Sequence, residues 1–304
     1  MNTPKSQFSV GVIGLGAMGN GIAQSVRRAG YSPFVFDVRA EAAQAFAKDG
    51  GTACATLAEL SKSCDVVVSV VVNAAQTESV LFGNSDTEGC AASMKQGSVF
   101  VMCSTVDPNW SVALEARLAA LGILYIDAPI SGGAAKAASG QMTMMTAGKP
   151  EAYAIAEPFL NAMAAKVYKL GDSAGAGSKV KIINQLLAGV HIAAAAEAMA
   201  LGLREGVNPD ALYEVITNSA GNSWMFENRM AHVLAADYTP LSAVDIFVKD
   251  LGIVLDMARA TKFPLPLSST AHQMFMQAST AGFAKEDDSA VIKIFPGIEL
   301  PKKK

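Results

Sequence analysis

At 304 residues the chain is longer than one compact core usually grows, so two domains are expected. Hydrophobic residues make up 51% of it and the formal net charge is only −3, a balance that argues against a disordered chain and against a nucleic-acid binder; the expected partner is a small molecule. Cys54, Cys64, Cys90 and Cys103 show no CxxC spacing and read as ordinary core or near-surface residues. The opening MNTPKSQF lacks the apolar stretch of a secretion signal, and the two features together point to a cytoplasmic protein. His191, His232 and His272 have no ligand spacing, and no metal is expected.

From Phe8 onward, short β-rich runs alternate with helical stretches: FSVGVIG, an alanine-rich helix, PFVFD, a second helix, DVVVSVVV and SVFVMCS. Continuous apolar runs separated by helices predict a parallel sheet covered on both faces. ILYIDAPI, MTMMTAG and KVYKLG extend that sheet to about residue 171. Residues 175–295 read as helices alone, with starts near Ser178, Pro209, Ser223, Ser242 and Pro266 and turn signals in GVNPD and FPLPL. The boundary is therefore expected in the glycine-rich stretch 171–177, giving an α/β domain over 1–172 and an all-α domain over 173–304. The most apolar stretch, QLLAGVHIAAAAEAMALGL (185–203), nearly reaches membrane-spanning length but carries His191 and Glu197. It reads as a buried helix at the domain join, and no membrane partner is expected. The terminal PKKK reads as a solvated tail.

VGVIGLGAMGNGIAQSVRRAGYSPFVFD (10–37) places Gly14, Gly16 and Gly19 in GxGxxG spacing directly after a strand and at the opening of a helix, with Asp37 ending the next strand. The loop Gly14 to Gly19, with Ala17 and Met18 in the turn, has the form that cradles a pyrophosphate at a helix N-terminus; a purely structural glycine turn is the alternative. These features predict a Rossmann dinucleotide-binding domain. Asp37 is placed to accept hydrogen bonds from the adenosine ribose and to repel a 2′-phosphate, which favours NAD over NADP, while Arg39 two residues on pulls the other way.

GDSAGAGSKVKIINQLLAGV (171–190) sets two lysines where a helix is about to start, although the helix dipole disfavours cations there. Lys181, Asn184 and Gln185 share one helical face, and Lys179 is turned away from it. Close to a helix N-terminus and partly desolvated, Lys181 would have a lowered pKa suited to proton transfer; two ordinary solvated lysines are the alternative. DAPISGG (127–133) ends a strand and exposes Ser131, Gly132 and Gly133, whose hydroxyl and bare amides suit a substrate carboxylate, as a plain turn also would require. Asn73 and Thr105 follow strands at the sheet edge, where each reads either as a cofactor contact or as a helix cap, with Asp107 a further cap candidate. Lys249 and Asp250 read as a charge pair. Asn222, Ser223 and Trp224 could line a polyhydroxy substrate's pocket, or form a cap at Ser223 with Trp224 buried.

In order along the chain, GVIGLGAMGNGIA (11–23), DAPISGG, GAGSKVKIINQ (175–185) and VKDLG (248–252) resemble the cofactor signature, substrate loop, catalytic helix and late cofactor contact of the β-hydroxyacid dehydrogenase family. The family includes 3-hydroxyisobutyrate dehydrogenase and tartronate semialdehyde reductase, and the resemblance covers essentially the whole length. It implies Lys181 as the catalytic residue, Ser131, Gly132, Gly133 and Asn184 at the substrate, and Asn73, Thr105 and Lys249 at the cofactor. Gln185 departs from the second asparagine common in the family. KIINQLLAGVHIAAAAEAMAL, TNSAGNSWMFENRM, YTPLSAVDIFVKDLG and KEDDSAVIKIF narrow the resemblance to a branch acting on a four-carbon sugar acid at C2.

The expected reaction moves a hydride from the carbinol carbon of a short hydroxyacid to NAD while Lys181 takes the hydroxyl proton, in a site between the domains. The alternatives within the class are a tartronate semialdehyde reductase and a 3-hydroxyisobutyrate dehydrogenase. A non-catalytic NAD-binding scaffold would not need Lys181 beside Asn184 or the intact SGG, and an imine reductase usually departs from lysine at that position. The apolar helix and the methionine-rich helical half imply a homo-oligomer, a dimer or tetramer.

Overall fold

The computed structural model describes residues 8–303, so all of the opening segment but Phe8, and the last lysine of the tail, lie outside the described residues. Two compact units follow one another, Met1–Lys181 and Ile182–Lys304. The first contains β1 (Val10–Ile13), α1 (Ala17–Arg28), β2 (Phe34–Phe36), α2 (Ala40–Ala47), β3 (Thr52–Ala53), α3 (Leu57–Ser63), β4 (Val66–Ser69), α4 (Ala74–Phe82) and β5 (Val99–Met102). It continues with α5 (Pro108–Ala120), β6 (Leu124–Asp127), β7 (Ile130–Ser131), α6 (Gly133–Ser139), β8 (Met142–Gly148), α7 (Pro150–Met163) and β9 (Ala164–Lys169). The long helix α8 (Ala176–Arg204) runs on into the second unit, where α9 (Pro209–Thr217), α10 (Trp224–Leu234), α11 (Val244–Thr261) and α12 (Pro266–Ala278) follow.

Strand order in the sheet is β3-β2-β1-β4-β5-β6-β8-β7, with β9 paired to β8. From β3 to β6 every pairing is parallel, and the order reverses at β1 and β4, the point where open α/β sheets bind dinucleotides. The apolar runs are continuous because both faces are covered. Val66, Val68, Val99 and Val101 pack with Ile22 and Val26 of α1 and Phe159 and Leu160 of α7. Val67, Phe100 and Met102, one residue out of phase, pack with Leu60 of α3, Leu81 of α4 and Leu114 and Leu118 of α5. The fold is thus an N-terminal Rossmann domain followed by a helical region, as the sequence predicts.

The far end of the sheet differs from the wholly parallel expectation. ILYIDAPI bends at Ala128–Pro129 into β6 and β7, and both pair antiparallel with β8. Alternation of apolar residues is the same whichever way a strand runs, so the reversal leaves no mark in the pattern. All four cysteines are buried and reduced, and burial above all pushes the thiols up, Cys54 to about 11 and Cys64, Cys90 and Cys103 to about 12. At neutral pH they are inert core residues.

By length and composition α8 could cross a membrane. One side of it, however, is core: Ile182, Ala188, Ile192, Ala196 and Met199 pack with Phe226 and Met230 of α10, Phe247, Leu251 and Val254 of α11 and Phe275 of α12. Gly189 lies where any Cβ would come within 3.0 Å of Phe247 and Leu251, which lets α8 and α11 approach closely. Ile183, Leu187 and Leu201 remain exposed.

A buried ionic cluster closes the helical unit. Arg229 of α10 donates to both oxygens of Asp288, and its other terminal nitrogen donates to Asn228 Oδ1. Neighbouring Asp287 accepts from the backbone N–H of Leu241 at 3.0 Å and from Ser289 Oγ at 2.7 Å. Both carboxylates are fully buried, so the guanidinium offsets charge that water cannot reach. Arg229→Met should therefore cost about 3–5 kcal/mol, read as a lower urea midpoint at unchanged slope. A cost below about 1 kcal/mol would show that the cluster does not hold this unit closed.

Candidate functional site

The three glycines after β1 do three different jobs. Gly14 has φ +88 and a Cβ there would lie 2.5 Å from Val70 O, so the turn itself demands glycine. At Gly19 a Cβ would lie 1.7 Å from Gly14 O, so the helix packs against its own loop. Gly16 is different. Its φ of −66 is open to any residue, and a Cβ would meet no protein atom within 4 Å. Neither backbone nor packing explains the glycine, and the open space leaves room for a ligand at the N-terminus of α1. Ala17 and Met18 open that helix. The loop thus fits a dinucleotide pyrophosphate, which would meet bare Cα and the unpaired N–H groups of the helix end.

Asp37 is bound into the same loop. Its Oδ2 accepts from Leu15 N at 2.6 Å and its Oδ1 from Arg39 N at 2.9 Å and Arg39 Nε at 3.3 Å. Burial pushes its carboxyl up, but the N–H groups of Arg39 and Leu15 and the guanidinium of Arg39 outweigh it and hold the carboxyl below its ordinary value. The contact is complete above the ordinary carboxylate range of about 4 and is lost as pH falls through the depressed value.

Register aligns Ile13, Ser69, Met102 and Asp127, so the loops that follow β1, β4, β5 and β6 leave the sheet along one edge. Asn73 caps α4, its side chain accepting from Gln76 N at 2.8 Å. Thr105 is half-buried in the loop after β5, and Asp107 caps α5 through Asn109 N and Trp110 N. Ser104 Oγ donates to Val71 O at 2.8 Å, tying the loops that carry Asn73 and Thr105 together. Ser131 ends β7, and Gly132 and Gly133, with φ +135 and +76, open α6.

Asp127, which sequence reasoning passed over as part of DAPISGG, is fully buried at the end of β6. Its Oδ2 accepts from Gly175 N and Ser178 N, both at 2.9 Å, and its Oδ1 from Ser178 Oγ at 2.7 Å. Burial raises its carboxyl, against the pull of these donors. Gly177 lets the helix start fit: a Cβ there would lie 2.3 Å from Met145 O. On the second turn Lys181 is only 7% exposed, whereas Lys179 is exposed, so the helix separates the two cations as their spacing predicts. The partners of Asp127 lie 48 and 51 positions on, so its place at the carboxyl end of a strand was the one local signal for it.

In the second unit the structure joins Asn184 to Lys249. Asn184 Nδ2 donates to Gln185 Oε1 at 3.0 Å, Gln185 Nε2 donates to Asp250 Oδ2 at 2.5 Å, and Lys249 Nζ is bonded to Asp250 Oδ1. Asn222 is engaged elsewhere: its Nδ2 donates to Thr217 O at 3.1 Å and Glu227 Oε1 at 2.8 Å, and its Oδ1 is buried without a partner. Ser223 caps α10 by accepting from Phe226 N at 3.0 Å, and Trp224 is 50% exposed rather than buried. Among the described residues no group of three or more His, Cys, Asp or Glu is gathered as a metal would require.

The glycine loop, the sheet edge and the lysine-bearing helix define an NAD-dependent dehydrogenase, and the chain belongs to the β-hydroxyacid dehydrogenase family. Residues 9–171 match the NAD-binding domain of 6-phosphogluconate dehydrogenase, and residues 175–295 match the domain described as NAD-binding of NADP-dependent 3-hydroxyisobutyrate dehydrogenase. The chain is 68% identical over 295 residues to L-threonate dehydrogenase of Cupriavidus necator, covering 97% of this chain and 98% of that one. It is 52% identical over 297 residues to the L-threonate dehydrogenase of Escherichia coli strain K12, covering 97% of each. A crystal structure from Salmonella typhimurium described as 3-hydroxyisobutyrate dehydrogenase superposes with a TM-score of 0.90 at 53% identity, over 95% of this chain and all of that one.

The glycine geometry sets a clear expectation. Gly16→Ala should keep its melting temperature within a few degrees and lose NAD affinity by roughly tenfold or more, about 1.4 kcal/mol, in a fluorescence titration. Gly19→Ala should instead melt lower, because the loop itself must move. Parental NAD affinity in Gly16→Ala would mean that the open space at Gly16 is not the pyrophosphate's.

Proposed function

We propose that this enzyme oxidises L-threonate at C2 to 2-oxo-threonate with NAD, in the cytosol and as a homo-oligomer. Lys181 carries the proposal: a lysine taken almost wholly out of water on the second turn of a helix is placed for proton transfer, not for solubility. Lys181 accepts the proton of the C2 hydroxyl, and Asn184, one turn on, holds the substrate's hydroxyls. Ser131 and the amides of Gly132 and Gly133 bind the carboxylate. The loop Gly14 to Gly19, with Asp37, Asn73, Thr105 and Lys249, holds the cofactor, which when bound supplies the hydride acceptor. The choice of L-threonate over 3-hydroxyisobutyrate follows the names of the relatives that are similar over nearly the whole chain.

Initial rates with NAD and NADP across L-threonate, other four-carbon sugar acids and 3-hydroxyisobutyrate should give the highest kcat/KM for L-threonate with NAD. A higher value for 3-hydroxyisobutyrate would overturn the substrate, and a clear NADP preference would show that Arg39 outweighs Asp37. Lys181→Ala should lose kcat by roughly 10² to 10⁴ with little change in NAD affinity. Lys181→Arg should fail as well, because guanidinium does not give up its proton, while Lys179→Ala should be nearly silent. Near-parental turnover in Lys181→Ala would remove it from the chemistry. Exposed Ile183, Leu187 and Leu201 on α8 support self-association, and light scattering across the micromolar range should report more than a monomer.

A further inference from the structure

Gln185 is a buried amide between two groups with proposed roles, and its neighbours leave it no choice of orientation. Asp250, 1% exposed, is held by Lys249 on one oxygen and Gln185 on the other. An ionised carboxylate can only accept hydrogen bonds, so Gln185 must face it with its NH₂ end. Its carbonyl oxygen is then turned to Asn184, and only the NH₂ end of Asn184 can meet it, as the 3.0 Å contact records. A carboxamide is nearly symmetric in shape, so its hydrogen bonds set which end points where. The charge on Asp250 decides it for both amides in turn.

We infer that Asp250 and Gln185 are positioning residues that fix the polarity of Asn184, so that Asn184 presents its carbonyl oxygen as an acceptor toward the hydroxyl groups of the substrate. The same carboxylate holds the ammonium of Lys249. One buried charge therefore orients a substrate contact and a cofactor contact together. This inference rests on the proposed contact of Asn184 with the hydroxyacid. It also gives position 185 a reason for its length, since asparagine there would fall short of Asp250 by about 1.5 Å.

The test is a double-mutant cycle on the full-length enzyme, with kcat and KM measured on L-threonate and NAD affinity measured by titration without substrate. Gln185→Met keeps the side chain's length and removes both its donor and its acceptor. It should lower kcat/KM roughly tenfold, mostly through KM, with NAD affinity within about threefold of the parent. Asn184→Ala should cost at least as much. The double variant should lose no more than Asn184→Ala alone, because Gln185 has nothing left to orient. Equal losses from Gln185→Met in both backgrounds would overturn the inference and leave Gln185 a structural residue. Parental kinetics in Asn184→Ala would overturn the substrate contact itself, and the inference with it. Should Gln185→Met fail to fold, Gln185→Asn keeps an amide too short to reach Asp250 and is carried through the same cycle with the same expectations.

Discussion

A carboxylate with no exposed surface stands where α8 begins, and the placement of Lys181 depends on it. The first N–H groups of a helix have no partner within the helix, and the dipole makes that end positive. Asp127 answers both needs, accepting from Gly175, Ser178 and the Ser178 hydroxyl at the point where strand β6 delivers it. An anion at this terminus also counters the positive end that would otherwise work against a buried lysine one turn later. The sheet thereby fixes both where the helix starts and which of its residues face inward. Lys181 owes its burial to that phase, as Lys179 owes its exposure.

The same logic recurs in the helical unit on a smaller scale. Asp250 and Asp288 are each buried, and each is made tolerable by a cation and by further donors. Their consequences differ with what surrounds them. Asp288, near the C-terminus, takes Arg229 of α10 as its partner, so the cluster closes a fold. Around Asp250 the partners are Lys249 and Gln185, and through Gln185 the order continues to Asn184. Burial in both cases turns a charge into a constraint on direction, which water at a surface would have relaxed.

Much of this was legible in the residues themselves. β1, β4 and β5 stand out because their neighbouring side chains fill two different cores, which forces unbroken apolar runs. Pro209 and Pro266 start their helices and Ser223 caps its own, each by a local rule of backbone donors. Helical phase alone separates Lys179 from Lys181. What stayed hidden depends on contacts far apart in the chain. The reversal of β8 is set by its pairing with β6 and β7, and its own pattern is silent on direction. Asp127 meets residues some fifty positions away, and Gln185 meets one 65 positions away. The bonds that Asn222 makes through its nitrogen to Thr217 and Glu227 were likewise not marked by its place beside a serine and a tryptophan.

The double engagement of Asp37 bears on how cofactor preference in such a chain can change. The carboxylate that would greet the ribose is also the clasp that closes the glycine loop onto β2 through Leu15. Exchanging it for a smaller or neutral residue would loosen the seat of every cofactor, phosphorylated or not, before any discrimination was gained. Val38, 92% exposed, carries no such duty toward the loop, and the side chain of Arg39 meets the clasp only at the oxygen that Leu15 does not use. Drift or engineering toward a 2′-phosphate therefore has an open route through those two neighbours and a closed one through the acid itself.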